Sequence, residues 1–277
     1  MNLLADGVSF AYEPSQPVLT DVRAVIERGG LVGILGPNGS GKTTLLRLLG
    51  GLRTPQRGKV TLDGVDLRTL GRAAAARRIA VVPQETQLAF EYTVLEMAVM
   101  GRYPHLGSFE IEGPDDLAIA RDALRATGTL HLESRFFNTL SGGEKQRVVI
   151  AGAIAQFTQG ERAADATEVL LLDEPTASLD LAYQLEIRTI LRQLNERRNL
   201  TVVVSTHDLN LAAGLCRDLI LLDRGRVLAA GPAADMLKPA LIEQLYGVEV
   251  DIAVHERTGR LTVVPVARAR TEHRQQP

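Results

Sequence analysis

Short apolar stretches, some alternating and some continuous, punctuate residues 3–35, with turn signals at Glu13-Pro14-Ser15-Gln16-Pro17 and Arg28-Gly29-Gly30. The pattern predicts three strands, the last over 31–35. A helical pattern follows over 44–49 and ends near Gly50-Gly51. A Pro55-to-Gly58 turn then leads into a strand at 59–62, an Asp63-Gly64 hairpin signal, an alanine-rich helix over 72–78 and a buried strand at 79–82 that stops at Pro83-Gln84. From about 85 to 156 the pattern becomes helical, with helices predicted at 94–100, 115–127 and 143–156. Strand and helix alternate again afterwards, as strand 169–172, helix 181–197, strand 201–204, helix 209–215 and strand 219–222. Such alternation implies a largely parallel sheet, whose ligands bind beyond the carboxyl ends of the strands, where Gly36, Asp173 and Ser205 are expected to meet.

Residues 231–277 read as a helix pair, two short strands and a tail. The expected organisation is a single domain over 1–268, with a helical subdomain inserted at about 85–156 and a disordered tail at 269–277. Residues 158–167 are polar and small, the pattern of a surface loop. The sequence contains no internal repeat and one phosphate-binding loop.

Composition narrows the classes. The 277 residues carry a formal charge of −2, unlike a chain that grips nucleic acid through its phosphates. The single cysteine, Cys216, can form neither an internal disulfide nor a cysteine metal cluster, and small apolar packing is its expected role. The N-terminus lacks the pattern of a secretory signal, and no apolar run approaches the ~20 residues of a membrane helix. The chain is therefore expected to be soluble and cytoplasmic, reaching a membrane only by docking on another protein.

The chemistry starts at Gly36-Pro37-Asn38-Gly39-Ser40-Gly41-Lys42-Thr43, with Thr44 next, a fit to G-x-x-x-x-G-K-[ST] between a strand and a helix. A polyphosphate needs several backbone N–H groups converging on it, and glycines let the chain approach and turn. The helix start adds unpaired N–H groups and a positive dipole end. Lys42 can reach the β and γ phosphates, and the Thr43 hydroxyl can bind Mg²⁺. The expected fold is thus α/β, a P-loop NTPase with a mostly parallel sheet core, an antiparallel β subdomain and the inserted helical subdomain. The apolar strand Val169-Leu170-Leu171-Leu172 ends in Asp173-Glu174, which places Asp173 to hold Mg²⁺ and Glu174 to orient and deprotonate water. At Ser141-Gly142-Gly143-Glu144 a hydroxyl and exposed N–H groups open a helix, giving a second anion site or a capping box that leaves the two glycines unexplained.

In this order the motifs resemble the ATP-binding subunit of an ABC transporter over about residues 2–250. Walker A lies at 36–43, the signature Leu-Ser-Gly-Gly-Glu-Lys-Gln-Arg at 140–147, Walker B at 169–174, and His207 follows. The resemblance implies that Gln84 senses Mg²⁺ and a membrane partner, that Asp180 belongs to the D-loop Ser178-Leu179-Asp180, that His207 is the switch histidine and that Tyr12 stacks on adenine. Phe10, the neighbouring aromatic, is assigned to the opposite facing of its strand. It also implies ATP and Mg²⁺ as ligands and a head-to-tail homodimer in which Ser141, Gly142, Gly143 and Glu144 complete the partner's site. The expected partners are a dimeric integral membrane permease and, indirectly, a substrate-binding protein, with no nucleic acid; the place is the inner face of the cell membrane.

Gly101-Arg102-Tyr103-Pro104-His105-Leu106, after Thr93-Val94-Leu95-Glu96, and Leu181-Ala182-Tyr183-Gln184 resemble the importer ATPases for iron-siderophore, haem and cobalamin. His105 has no partner ligands in sequence and is expected to make a surface or coupling contact. The loop at 158–167 is similar to one in haem importers. The ATPase of another transporter subfamily, for a metal ion or an exporter, and a nucleic-acid-linked ATPase are the alternatives.

Overall fold

The computed structural model describes residues 2–86, 88–157 and 166–269. The expected tail, apart from Ala269, and most of the 158–167 loop lie outside the described residues. The chain opens with β1 (Asn2–Glu13), β2 (Gln16–Glu27) and β3 (Leu31–Leu35), followed by α1 (Lys42–Leu49), β4 (Arg57–Leu62) and β5 (Val65–Asp66). Asp63 and Gly64 both take positive φ, 52° and 82°, the turn that their dipeptide predicts. Short helices α2 (Leu67–Leu70) and α3 (Arg72–Ala76) precede β6 (Ile79–Val82). The helical stretch holds α4 (Val94–Val99), α5 (Pro114–Ala126) and α6 (Gly142–Ala155). The remainder runs β7 (Val169–Asp173), α7 (Leu181–Arg198), β8 (Thr201–Thr206), α8 (Leu209–Leu215), β9 (Asp218–Asp223), β10 (Arg226–Pro232), α9 (Ala233–Met236), α10 (Pro239–Tyr246), β11 (Val248–Val254) and β12 (Leu261–Arg268).

The described residues form three sheets. A four-stranded antiparallel sheet has the order β2-β1-β4-β5, a six-stranded sheet the order β10-β9-β3-β8-β7-β6, and β11 pairs with β12. Strands β9, β3, β8, β7 and β6 are parallel, and β10 is an antiparallel edge. Two elements escape the sequence patterning, α2 and β10. The turn into β10 carries a signal in Arg224-Gly225, where both residues take positive φ, 43° and 75°.

The parallel strands are buried on both faces, and their period of two divides the core. Leu31, Leu35, Leu170, Leu172, Val202, Val204, Leu219 and Leu221 face one apolar cluster that continues into α4, α5 and α6. Val32, Ile34, Val169, Leu171, Val203, Ile220 and Leu222 face another, which they share with the antiparallel sheet. Helix α1 lies in that second cluster with Leu45, Leu46, Leu48 and Leu49 buried, so the helix that begins at the phosphate loop is held between two sheets. Cys216 is buried as a packing residue, its thiol pushed up to about 12 by desolvation.

Glu168, just before β7, is less comfortable. Its Oε1 is buried without a hydrogen-bond partner. Desolvation pushes the carboxyl up to about 7 from 4.5, against the pull of Arg198, Arg28 and Arg78. A folded value above the unfolded one means that the native state holds the proton more tightly, so stability falls as pH rises from 4.5 through 7. Glu168→Gln should melt about 3 °C higher than wild type at pH 8 and at the same temperature at pH 4. Thermal melts across that range check it, and an equal Tm at pH 8 would contradict the burial argument.

Candidate active site

The phosphate loop leaves β3 and enters α1 through two left-handed glycines, Gly39 at φ 81° and Gly41 at φ 104°. Gly36 is required for a different reason. A Cβ there would fall 2.2 Å from Leu222 O and 2.5 Å from Ser40 Oγ, so the chain passes too close to β9 for any side chain. The β9–β10 turn holds the loop from behind, with Gly225 N donating to Ser40 O at 3.0 Å. Lys42 is buried, and a buried ammonium needs partners. Its Nζ donates to Gly36 O at 2.8 Å and Pro37 O at 3.2 Å and lies 3.6 Å from Glu174 Oε1.

Strand β8 brings the carboxylates to the loop. It pairs Leu35 with Thr206 on one side and Asp173 with Ser205 on the other. Ser205 Oγ donates to the buried Asp173 Oδ1 at 2.5 Å, so Gly36, Asp173 and Ser205 meet at the strand ends as the alternation predicts. Glu174 turns out of the strand at φ 47°, and its N–H, shared between Ser205 O at 3.1 Å and Ser205 Oγ at 3.2 Å, holds that left-handed turn. Glu174 Oε2 then stands 2.8 Å from His207 Nδ1. His207 is fixed in turn by its neighbours. Asp208 caps α8 by accepting from Asn210 N at 2.8 Å and Leu211 N at 2.9 Å, and its own N–H donates to Thr206 Oγ1 at 3.0 Å.

Lys42, Glu174, His207 and Asp208 line an open cleft of about 700 Å³ together with Asn38, Gly39, Gly41, Thr43, Thr44 and Gln84, whereas Asp173 is buried against Ser205 and is not part of its lining. A hydroxyl at Thr43, an amide oxygen at Gln84 and the Asp173 carboxylate form an oxygen-only donor set. Among the described residues no group of three His, Cys, Asp or Glu could hold a metal. Few carboxylates and neutral oxygens fit Mg²⁺ bound jointly with phosphate and water, not an all-protein cage.

Sequence reasoning gave no site role to the other lining residues Val18, Thr176, Ala177, Gln184, Thr206 and Asp208, and placed Ser178 only within the D-loop. Gln184 had a signal, since it lies one turn after the D-loop. Ser178 marks that loop with φ 61°, whereas Asp180 is exposed and lines no part of the cleft.

Tyr12 sits at the margin, half exposed, with its hydroxyl 3.4 Å from Thr44 Oγ1 and accepting from Arg47 Nη1 at 3.2 Å. The expectation that Phe10 faces the other way is wrong. Residues two apart on a strand share a face, and the two rings meet edge to face with centroids 5.0 Å apart. Phe10 is buried and Tyr12 is the exposed member of the pair, which leaves only Tyr12 a free ring face.

Ser141 to Glu144 do not line the cleft. They form the expected capping box of α6, with Ser141 N donating to Glu144 Oε2 at 2.8 Å, a bond that holds the Glu144 carboxyl below its usual range. The structure supplies the reason for the glycine pair. A Cβ on Gly143 would fall 2.3 Å from the Tyr183 ring and one on Gly142 3.3 Å from Leu179 Cδ2.

In the 101–106 segment, Arg102 is buried and clamps the helical layer, donating to Asp116 Oδ1 at 3.0 Å and Ala155 O at 2.7 Å. His105 is half-buried rather than freely exposed. Its Nε2 donates to Gln156 O at 2.8 Å, and desolvation lowers its pKa.

The ABC transporter profile matches residues 19–177, and an AAA domain profile matches the shorter stretch 146–213. The cobalamin import ATP-binding protein BtuD of Halobacterium salinarum is 43% identical over 250 residues, which are 90% of this chain and 60% of that protein. The chain thus spans about 60% of the length of that relative. The hemin import ATP-binding protein HmuV of Bordetella pertussis is 42% identical over 265 residues, 95% of this chain and 99% of that one. An inward-facing structure of a metal-chelate type ABC transporter superposes with a TM-score of 0.81 at 30% identity, covering 96% of this chain and 97% of the other. With its one phosphate loop, one signature helix and one Asp-Glu strand end arranged as above, the chain belongs to the ABC transporter family.

Proposed function

We propose that this chain is the ATP-hydrolysing subunit of an importer that carries an iron chelate, haem or siderophore, or cobalamin through a membrane permease. The observation that carries the reading is the convergence of Lys42, Glu174 and His207 on one cleft, with Asp173 held by Ser205 at the end of the strand that delivers Glu174, in a chain whose similar relatives are named for cobalamin and hemin import. The loop N–H groups and Lys42 bind the triphosphate. Lys42 is shared between two carbonyls and Glu174, so phosphate oxygens compete with a carboxylate for it, leaving Glu174 to take the proton of an attacking water. His207 orients that carboxylate from its far oxygen. Thr43, Gln84 and Asp173 would hold Mg²⁺, which when bound offsets the charge spread over the phosphates.

Tyr12 offers its free face to the adenine. Tyr12→Ala should weaken ATP binding about tenfold, the size of one base–aromatic stack, with Tyr12→Trp close to wild type. Titration with a fluorescent ATP analogue measures both, and an unchanged affinity in the alanine variant would remove Tyr12 from the site.

The signature residues do not line the cleft of their own chain, which supports a homodimer in which each copy completes the other's site. Among the described residues no helix is long and apolar enough to cross a membrane, and in this reading the spanning part of the importer is a permease. Phe90, Tyr103, Phe109 and Ile111, which follow Gln84 in the chain, expose apolar side chains suited to docking on it. The chain would then work at the inner face of the cell membrane.

Co-expression with a candidate permease tests the function. The account predicts copurification with the permease and ATP-dependent accumulation of haem, a ferric siderophore or cobalamin in vesicles. Copurification with nucleic acid and no permease would overturn the transport reading.

A further inference from the structure

The first turn of α7 touches both halves of the machinery. Gln184 lines the chain's own cleft and donates from Nε2 to Leu179 O at 2.8 Å, within the segment that follows Glu174. The adjacent Tyr183 turns the other way. Its ring lies so close to Gly143 that a Cβ there would stand 2.3 Å from Cγ and Cδ1, and its hydroxyl accepts from Ser141 Oγ at 3.4 Å. The Arg147 guanidinium lies 6.0 Å from the ring centroid, and Arg147 also reaches Glu186, one turn further along α7, at 3.4 Å. Ser141 Oγ already accepts from Glu144 N at 3.4 Å, so the phenol decides where its remaining hydroxyl proton points.

We propose that Tyr183 is a positioning residue for Ser141, holding its Oγ in the rotamer from which the hydroxyl proton turns to the nucleotide held by a second copy of the chain while the phenol donates back to Oγ. The inference rests on the composite-site reading above. It also accounts for the second signature glycine, because only a residue without a side chain at 143 lets the ring reach Ser141. The phenol and the serine hydroxyl form one unit at the start of α6, and neither residue lines the chain's own cleft. Tyr183 therefore governs pairing and leaves binding within one copy untouched.

Tyr183→Phe keeps the ring on Gly143 and removes only the hydroxyl. The measurement is made in a Glu174→Gln background, reading ATP-dependent dimerisation by sedimentation and, separately, binding of a fluorescent ATP analogue at protein concentrations too low for pairing. The expected result is a several-fold rise in the ATP concentration for half-dimerisation, with unchanged binding by the single copy and an unchanged Tm. In the chain with Glu174 intact the same variant should raise KM for ATP while leaving kcat within about twofold. Dimerisation at the wild-type ATP concentration overturns the proposal, as does a parallel loss of single-copy binding, which would make the effect one of packing. If the Glu174→Gln chain with Tyr183 intact does not pair with ATP at all, it is the composite-site reading that fails.

Discussion

Glu174→Gln is expected to lower ATP turnover by about 10³-fold while leaving ATP binding in place. The exchange preserves size and shape, so the left-handed turn at Glu174 and its two N–H contacts to Ser205 survive. What is lost is the negative charge beside Lys42 Nζ and the oxygen able to take a proton from water. An amide in that position still accepts from His207 but cannot act as a base. Binding and chemistry therefore separate, and the ATP-bound dimer accumulates because the step that opens it is blocked. Steady-state phosphate release and ATP-dependent sedimentation measure the two sides. A rate within about threefold of wild type would remove Glu174 as the base.

Lys42→Ala should weaken ATP binding by at least about 10²-fold, corresponding to the ~3 kcal/mol that one or two charge-assisted bonds to phosphate supply. The ammonium is buried and does structural work as well. Its removal takes the Nζ donor from Gly36 O, leaves Pro37 O with only the Ser40 N–H, and deprives Glu174 of the Lys42 cation. The variant is thus expected to bind ATP poorly and to melt a few degrees lower. Isothermal titration and a thermal melt record both, and affinity within threefold of wild type would contradict the placement of phosphate on Lys42.

The parts of the site legible in sequence are those whose chemistry sits at a strand end. The glycine spacing at 36–41 and the acids closing Val169–Asp173 are read directly, because an apolar run of the parallel-sheet type fixes where its last residue points. Residues brought together by packing between elements were not legible. Tyr183 meets Gly143 only because α7 lies across α6, and nothing in either segment's periodicity states that crossing. Gln184, one residue on, reaches the opposite side for the same reason. Strand β10 was missed because it is a half-exposed edge whose one apolar run, Val227-Leu228-Ala229-Ala230, is short and does not alternate, although the Arg224-Gly225 turn announced it. The pairing of Phe10 and Tyr12 followed from the strand period itself and was assigned against it.

The central claim is that two copies share two sites, each built from one phosphate loop and the other copy's Ser141. Mixing Lys42→Ala with Ser141→Arg tests it most directly. Each variant alone carries a lesion in both sites of its dimer and should be inactive. In a mixed dimer both lesions fall in one site and the other is intact, so random pairing at equal amounts should restore about a quarter of wild-type hydrolysis. An equimolar mixture that stays inactive although the mixed dimer forms would contradict the shared-site arrangement.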